Sequence, residues 1–112
     1  MKVRNELKKL RIHFFAVQQK SMRGDSDYCL CVAGRFVGLE LKATGRSRVE
    51  KLQLYKLHAI ERCGGVGIIT FPDNWDTVYL FLQQLIVNPW EEKPECLNLP
   101  TTPSDLPNLM LE

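Results

Sequence analysis

Gly24-Asp25-Ser26-Asp27-Tyr28-Cys29-Leu30-Cys31-Val32-Ala33-Gly34-Arg35-Phe36-Val37-Gly38-Leu39-Glu40-Leu41-Lys42 is the stretch that decides the fold. Two runs suited to strands flank Gly34-Arg35, so the chain is expected to fold back there as a hairpin of strands over 27–33 and 36–42. Side chains alternate across a strand, which sends Glu40 and Lys42 to one face and Val37, Leu39 and Leu41 to the other. An antiparallel partner brings Asp27 to the same end of that face. Two carboxylates and one ammonium then converge beside an apolar core, a set suited to a hard divalent cation and a polarised water.

Upstream, Val3, Leu7 and Leu10 share one helical face, predicting a helix over 2–10 with Lys8 and Lys9 outside. Ile12 to Val17 is apolar, aromatic and β-branched, a first strand with room to run to Gln19, and Lys20 to Ser26 is a polar connection. Downstream of a turn at Ala43–Arg46, Ser47-Arg48-Val49-Glu50 has the spacing of a capping box. The helix it opens runs to Arg62 and stops at Gly64-Gly65, with Val49, Leu52, the stem of Lys56, Ala59 and Ile60 as its buried stripe. Val66 to Phe71 reads as a buried strand. Asp73 then caps a last helix over 74–87, with Trp75, Val78, Tyr79, Leu82 and Leu85 inward. The order helix, three strands, helix, strand, helix predicts an α/β fold with a helical crossover from the third strand to the fourth.

At 112 residues and 45% hydrophobic the chain can bury one core and make one domain, over 1–88. Five of the six prolines lie between 89 and 107 among acids, so 89–112 reads as a Pro-rich acidic tail in extended form. Its Trp90, Leu106, Leu109, Met110 and Leu111 are available to dock on the domain or on a second copy. No apolar run approaches the roughly 18 residues of a membrane-spanning helix, and the charged start lacks the apolar segment of a secretion signal. Cys29, Cys31, Cys63 and Cys96 lack metal-ligand spacing and suggest no disulfide framework, so the thiols read as reduced and the compartment as cytoplasmic.

Charge is uneven. Residues 1–62 hold fourteen Lys or Arg against six Asp or Glu, a balance of +8, while 63–112 hold one Lys against seven acids, a balance of −6. A basic body around the candidate site suits a polyanion such as nucleic acid. Lys8, Lys9, Arg23, Arg35, Arg46 and Arg48 are the candidates for phosphate contacts.

Gly24-x-Ser26-Asp27, a strand, Gly38-Leu39-Glu40-Leu41-Lys42, then a helix carrying Gln53 and ending in Gly64-Gly65 resembles the PD-(D/E)XK nuclease superfamily. Within it the chain is similar to the virus-type replication-repair nuclease (VRR-NUC) group, whose members carry a Gly-x-Pro-Asp turn, an (I/L)-Glu-(L/V)-Lys strand and a helix-borne Gln. The resemblance covers residues 1–71 and implies a restriction-endonuclease-like αβββαβ core followed by a C-terminal helix. It implies that Asp27, Glu40 and the backbone carbonyl of Leu41 hold Mg²⁺ or Mn²⁺, with Glu6 a further candidate ligand, and that Lys42 and Gln53 complete the catalytic set. Ser26 stands where the family has proline, and the stretch from Gly45 to Gln53 is longer than the family pattern.

The activity implied is metal-dependent endonucleolytic cleavage of DNA, on branched structures such as four-way junctions, by a homodimer of phage or prophage type. The alternatives are a flap- or single-strand-specific nuclease and a non-catalytic DNA-binding module in phage replication. The residues also have plainer readings. Glu40 and Lys42 can be a same-face pair on an exposed strand, Asp27 can end a turn, and Asp25 shares its parity. Gln53 can be a solvated helix residue, and His13 and His58 read as surface or packing residues.

Overall fold

In a computed structural model, which describes residues 2–17 and 26–101, the chain forms a mixed four-strand sheet with three α-helices. The elements are α1 (Val3–Leu7), β1 (His13–Ala16), β2 (Tyr28–Val32), β3 (Arg35–Leu41), α2 (Lys51–Arg62), β4 (Val66–Thr70) and α3 (Trp75–Val87), with one 3₁₀ turn at Glu95–Leu97. Strand order is β1-β2-β3-β4; the first two pairings are antiparallel and β3 with β4 is parallel, so α2 is the expected crossover. The expected run of the first strand to Gln19, Asp25, Arg23, Leu106, Leu109, Met110 and Leu111 all lie outside the described residues. Among the described residues no helix is long and apolar enough to cross a membrane.

The hairpin turns one residue earlier than expected. Val32 pairs with Arg35, leaving Ala33 and Gly34 as a two-residue loop, and both have positive φ, 50° and 86°. Such a loop twists the way the strands twist, which is why hairpins favour it. Helix α1 is shorter than the predicted 2–10. After Leu7 the amides of Lys9 and Leu10 bond carbonyls three residues back, which tightens and ends the helix.

The face of the sheet toward α1 and α3 holds the main core. Leu30, Val32, Val37, Leu39, Val66 and Ile68 meet Val3 and Leu7 from α1 and Val78, Phe81, Leu82 and Leu85 from α3, all essentially without solvent contact. Phe81, absent from the predicted inward stripe, is buried in this core, whereas Tyr79, a member of that stripe, is only partly buried.

The other face is narrow. Gly38 and Gly67 are register partners at its centre, and a Cβ at Gly67 would stand 2.8 Å from the Leu57 carbonyl oxygen of α2. Helix α2 therefore lies against bare backbone. Its most buried positions are Leu54 and Leu57, rather than the predicted stripe of Val49, Leu52, Lys56, Ala59 and Ile60. The polar residues Gln53 and Glu61 flank this stripe and bond to the sheet residues Glu40 and Gly67, which disguised the inward face.

The segment after α3 returns to the body. Leu97 is buried in the main core. Arg35 donates to the carbonyl oxygens of Gly64, Pro89 and Glu91, at 3.0, 2.9 and 3.0 Å, and its guanidinium stacks over Trp90. Among the described residues β4 is an outer strand, and side chains bond to groups along its open edge. The Gly67 amide donates to Glu61, the Gly67 carbonyl accepts from Lys93, and the Ile69 carbonyl accepts from Asn74.

Candidate active site

β2 and β3 separate at one end, and the candidate residues gather there. The register that pairs Tyr28 with Leu39 sets Asp27 opposite Glu40, one step past the end of β2. The Asp27 carboxylate accepts the Leu41 amide at 2.9 Å, standing in for the strand that has ended. A strand residue directs its N–H and C=O to the same neighbour, so the Leu41 carbonyl faces the gap that Asp27 occupies. On the far side of β3, the Lys42 amide donates to the Thr70 carbonyl at 2.8 Å, tying the site to β4. Asn74 fastens the end of β4. Its carboxamide accepts from the Thr70 hydroxyl and the Phe71 amide and donates to the Ile69 carbonyl. It also takes the helix N-cap position expected of Asp73.

Glu40 is 2% exposed, deep enough that its charge needs compensation. Gln53 donates to it from Nε2 at 2.9 Å, and the Lys42 ammonium lies 3.6 Å from the same Oε2. Lys42 in turn donates to Gln53 Oε1 at 2.9 Å. Acid, ammonium and carboxamide therefore form one closed set, and Gln53 is a member of it rather than a solvated helix residue.

Gln53 is placed by the start of its helix. The expected box of Ser47 with Glu50 is replaced by one three residues on, in which Glu50 is the N-cap and Gln53 the third helical residue. The Glu50 amide donates to Gln53 Oε1 at 3.2 Å, so one oxygen serves both the helix cap and Lys42. Ser47 instead closes the preceding turn, its hydroxyl accepting from the Thr44 amide. Glutamate is not a favoured N-cap, so only the Glu-x-x-Gln spacing signalled this arrangement.

The remaining candidates separate. Glu6 pairs with Lys9 at 2.9 Å and holds that ammonium above its ordinary pKa through a hydrogen bond and its charge. Among the described residues no three His, Cys, Asp or Glu side chains gather around a metal-sized space, so Glu6 does not join Asp27 and Glu40. Lys8 and Lys9 follow α1, on the opposite face of the sheet from Glu40. Arg35, the expected phosphate contact, is engaged by the carbonyls of Gly64, Pro89 and Glu91. Arg46 and Arg48 are exposed on the loop joining Lys42 to α2, next to the site. All four cysteines are thiols. Comparison with protein-family models, with curated proteins and with solved structures finds no match for this chain.

Asp27, Glu40 and the Leu41 carbonyl offer hard oxygen donors of two formal negative charges, with no sulfur or imidazole among them. That chemistry fits Mg²⁺ or Mn²⁺, which take carboxylates and carbonyls and keep several waters.

Proposed function

We propose that this chain is a metal-dependent endonuclease of PD-(D/E)XK type, similar to the VRR-NUC group, that hydrolyses DNA phosphodiester bonds. The observation that carries the reading is the closed set of Glu40, Lys42 and Gln53 at the end of β3, with Asp27 opposite. Burying a carboxylate beside a lysine is costly, and a catalytic role accounts for that cost where DNA binding alone does not require it.

Asp27, Glu40 and the Leu41 carbonyl would hold the ion, which when bound supplies Lewis-acid stabilisation and lowers the pKa of a coordinated water. Lys42 would turn from Gln53 toward that water, orienting it by a hydrogen bond and offsetting charge that builds on the phosphate oxygens. Gln53 holds Glu40 in its rotamer while Lys42 is engaged elsewhere. Water adds to phosphorus, the bond from phosphorus to the leaving oxygen breaks, and that oxygen takes up a proton. Branched DNA as substrate, a homodimer as the active form and a phage origin are carried by the resemblance, together with the basic balance of residues 1–62.

The test is incubation of the purified chain with labelled four-way junction, flap, duplex and single-stranded DNA, with and without Mg²⁺ or Mn²⁺. Cleavage should require metal. Asp27→Asn and Lys42→Ala should each lower it about a hundredfold or more while DNA binding persists. Undiminished cleavage by either variant rejects the site, and cutting confined to flaps by a monomer rejects the junction assignment.

A further inference from the structure

The segment after α3 does more than cover the edge of β4. Its residues from Cys96 to Pro100 form part of the wall of a pocket of about 170 Å³ that is also lined by Lys42, Thr44 and Ser47. The wall is anchored at both ends, because Leu97 is buried in the core and the Pro100 carbonyl lies 2.6 Å from His58 Nε2. A carbonyl can only accept, so that nitrogen carries the proton.

The lining indicates what the pocket suits. Ile69, Phe71, Leu97 and Leu99 make much of it apolar. Lys42 is the one charged side chain among the described residues that line it, and its ammonium is already engaged by Gln53 and Glu40. A phosphate would find a single, committed cation there, beside a wall drawn from the acidic part of the chain. A flat, neutral group with hydrogen-bonding edges fits better. It would lie against the aliphatic and aromatic surface and meet the Thr44 and Ser47 hydroxyls, with the exposed Asn98 carboxamide at the rim.

We propose that this pocket receives the nucleobase of a nucleotide flanking the scissile phosphate, which makes residues 96–100 part of the DNA site. The inference rests on the nuclease reading above, since that reading brings a DNA strand to Lys42. The strand's phosphates then run along the exposed Arg46 and Arg48, and one base turns inward against the C-terminal wall.

Cys96 lines the pocket and is exposed, so a bulky residue there obstructs it without entering the core. Single-turnover cleavage is measured for the wild type and Cys96→Trp on substrates that differ only in the position of one abasic nucleotide around the cut. One abasic position should lower wild-type cleavage about tenfold, the scale of one lost stacked base. Cys96→Trp, with an unchanged melting temperature, should cut intact DNA about tenfold more slowly and be indifferent to that same abasic position. Wild-type cleavage blind to every abasic position, or full-rate cleavage of intact DNA by Cys96→Trp, overturns the pocket and leaves the nuclease reading standing.

A second measurement needs no cleavage. Maleimide labelling of Cys96 is read by peptide mapping, with the exposed Cys63 as internal reference. An intact oligonucleotide should slow labelling at Cys96 but not at Cys63, and an abasic one should slow it less. Slowed labelling in a chain that cuts no DNA keeps the base pocket and removes the nuclease reading. Labelling unchanged by DNA overturns the pocket.

Discussion

On the face of the sheet toward α1 and α3, the inward positions of β3 and β4 are Val37, Leu39, Val66 and Ile68, whereas toward α2 they are Gly38, Glu40, Gly67 and Ile69. The first face is held by volume. Large side chains fill the space between layers, and each fully buried aliphatic or aromatic group contributes about 1.5–3 kcal/mol. On the second face volume is given up. Two glycines let α2 approach the backbone, and its first turn then lies over a buried carboxylate. The close approach stabilises little by itself, but it fixes the helix start, and the helix start fixes Gln53 against Glu40 and Lys42. One face makes the protein stable; the other uses that stability to hold a costly charge.

The largest expected effect tests the volume side of this contrast. Phe81→Ala should lower unfolding free energy by about 3–5 kcal/mol in urea titration, because it opens a cavity in the α3 layer. The molecules that remain folded should keep the site's properties, since nothing in the α2 layer moves. Next is Gly67→Ala, which pushes a methyl against the Leu57 carbonyl oxygen. It should cost about 1–3 kcal/mol as overpacking. If cleavage is established, it should fall at least about tenfold beyond the lost folded fraction, because α2 carries Gln53 away from Lys42. Were Phe81→Ala to damage the site as much as Gly67→Ala at matched stability, the division of labour between the faces would be wrong.

The smallest effect lies at the hairpin tip, away from both layers. Ala33 holds a left-handed conformation that asparagine tolerates better, with Gly34 beside it. Ala33→Asn should therefore raise unfolding free energy by about 0.5–1 kcal/mol and leave both faces unchanged. A loss of stability would show that the turn is not held by its backbone preference.

Much of this architecture was legible. Strand alternation put Glu40 and Lys42 on one face and Val37 and Leu39 on the other, and the Gly64 stop ended α2 on time. The misreadings share a cause. The most favoured cap residues predict starts at Ser47 and Asp73, but Glu50 and Asn74 hold the cap positions, because the Glu50–Gln53 box and the bonds from Asn74 to the end of β4 outweigh the preference of a single cap residue. No periodicity or motif marks Glu61 or Lys93, yet Glu61 accepts from the Gly67 amide and Lys93 donates to the Gly67 carbonyl along the outer edge of β4. The Pro-rich segment was read as extended and free to dock, and Arg35 as a phosphate contact. Their mutual hydrogen bonds depend on chain segments more than fifty residues apart.

The amino-acid order by itself determined the periods: which residues alternate, where α2 and α3 stop, and that Asp27, Glu40 and Lys42 fall at one end of a hairpin. These follow from backbone geometry and need no knowledge of neighbours. Only the tertiary structure decided that Gln53 closes the set, that Glu6 stands apart with Lys9, and that residues 96–100 wall a pocket beside Lys42. The Glu6–Lys9 pair is local, but its distance from the site, like the other two features, turns on how distant elements meet, and contacts between distant segments leave no repeating trace along the chain.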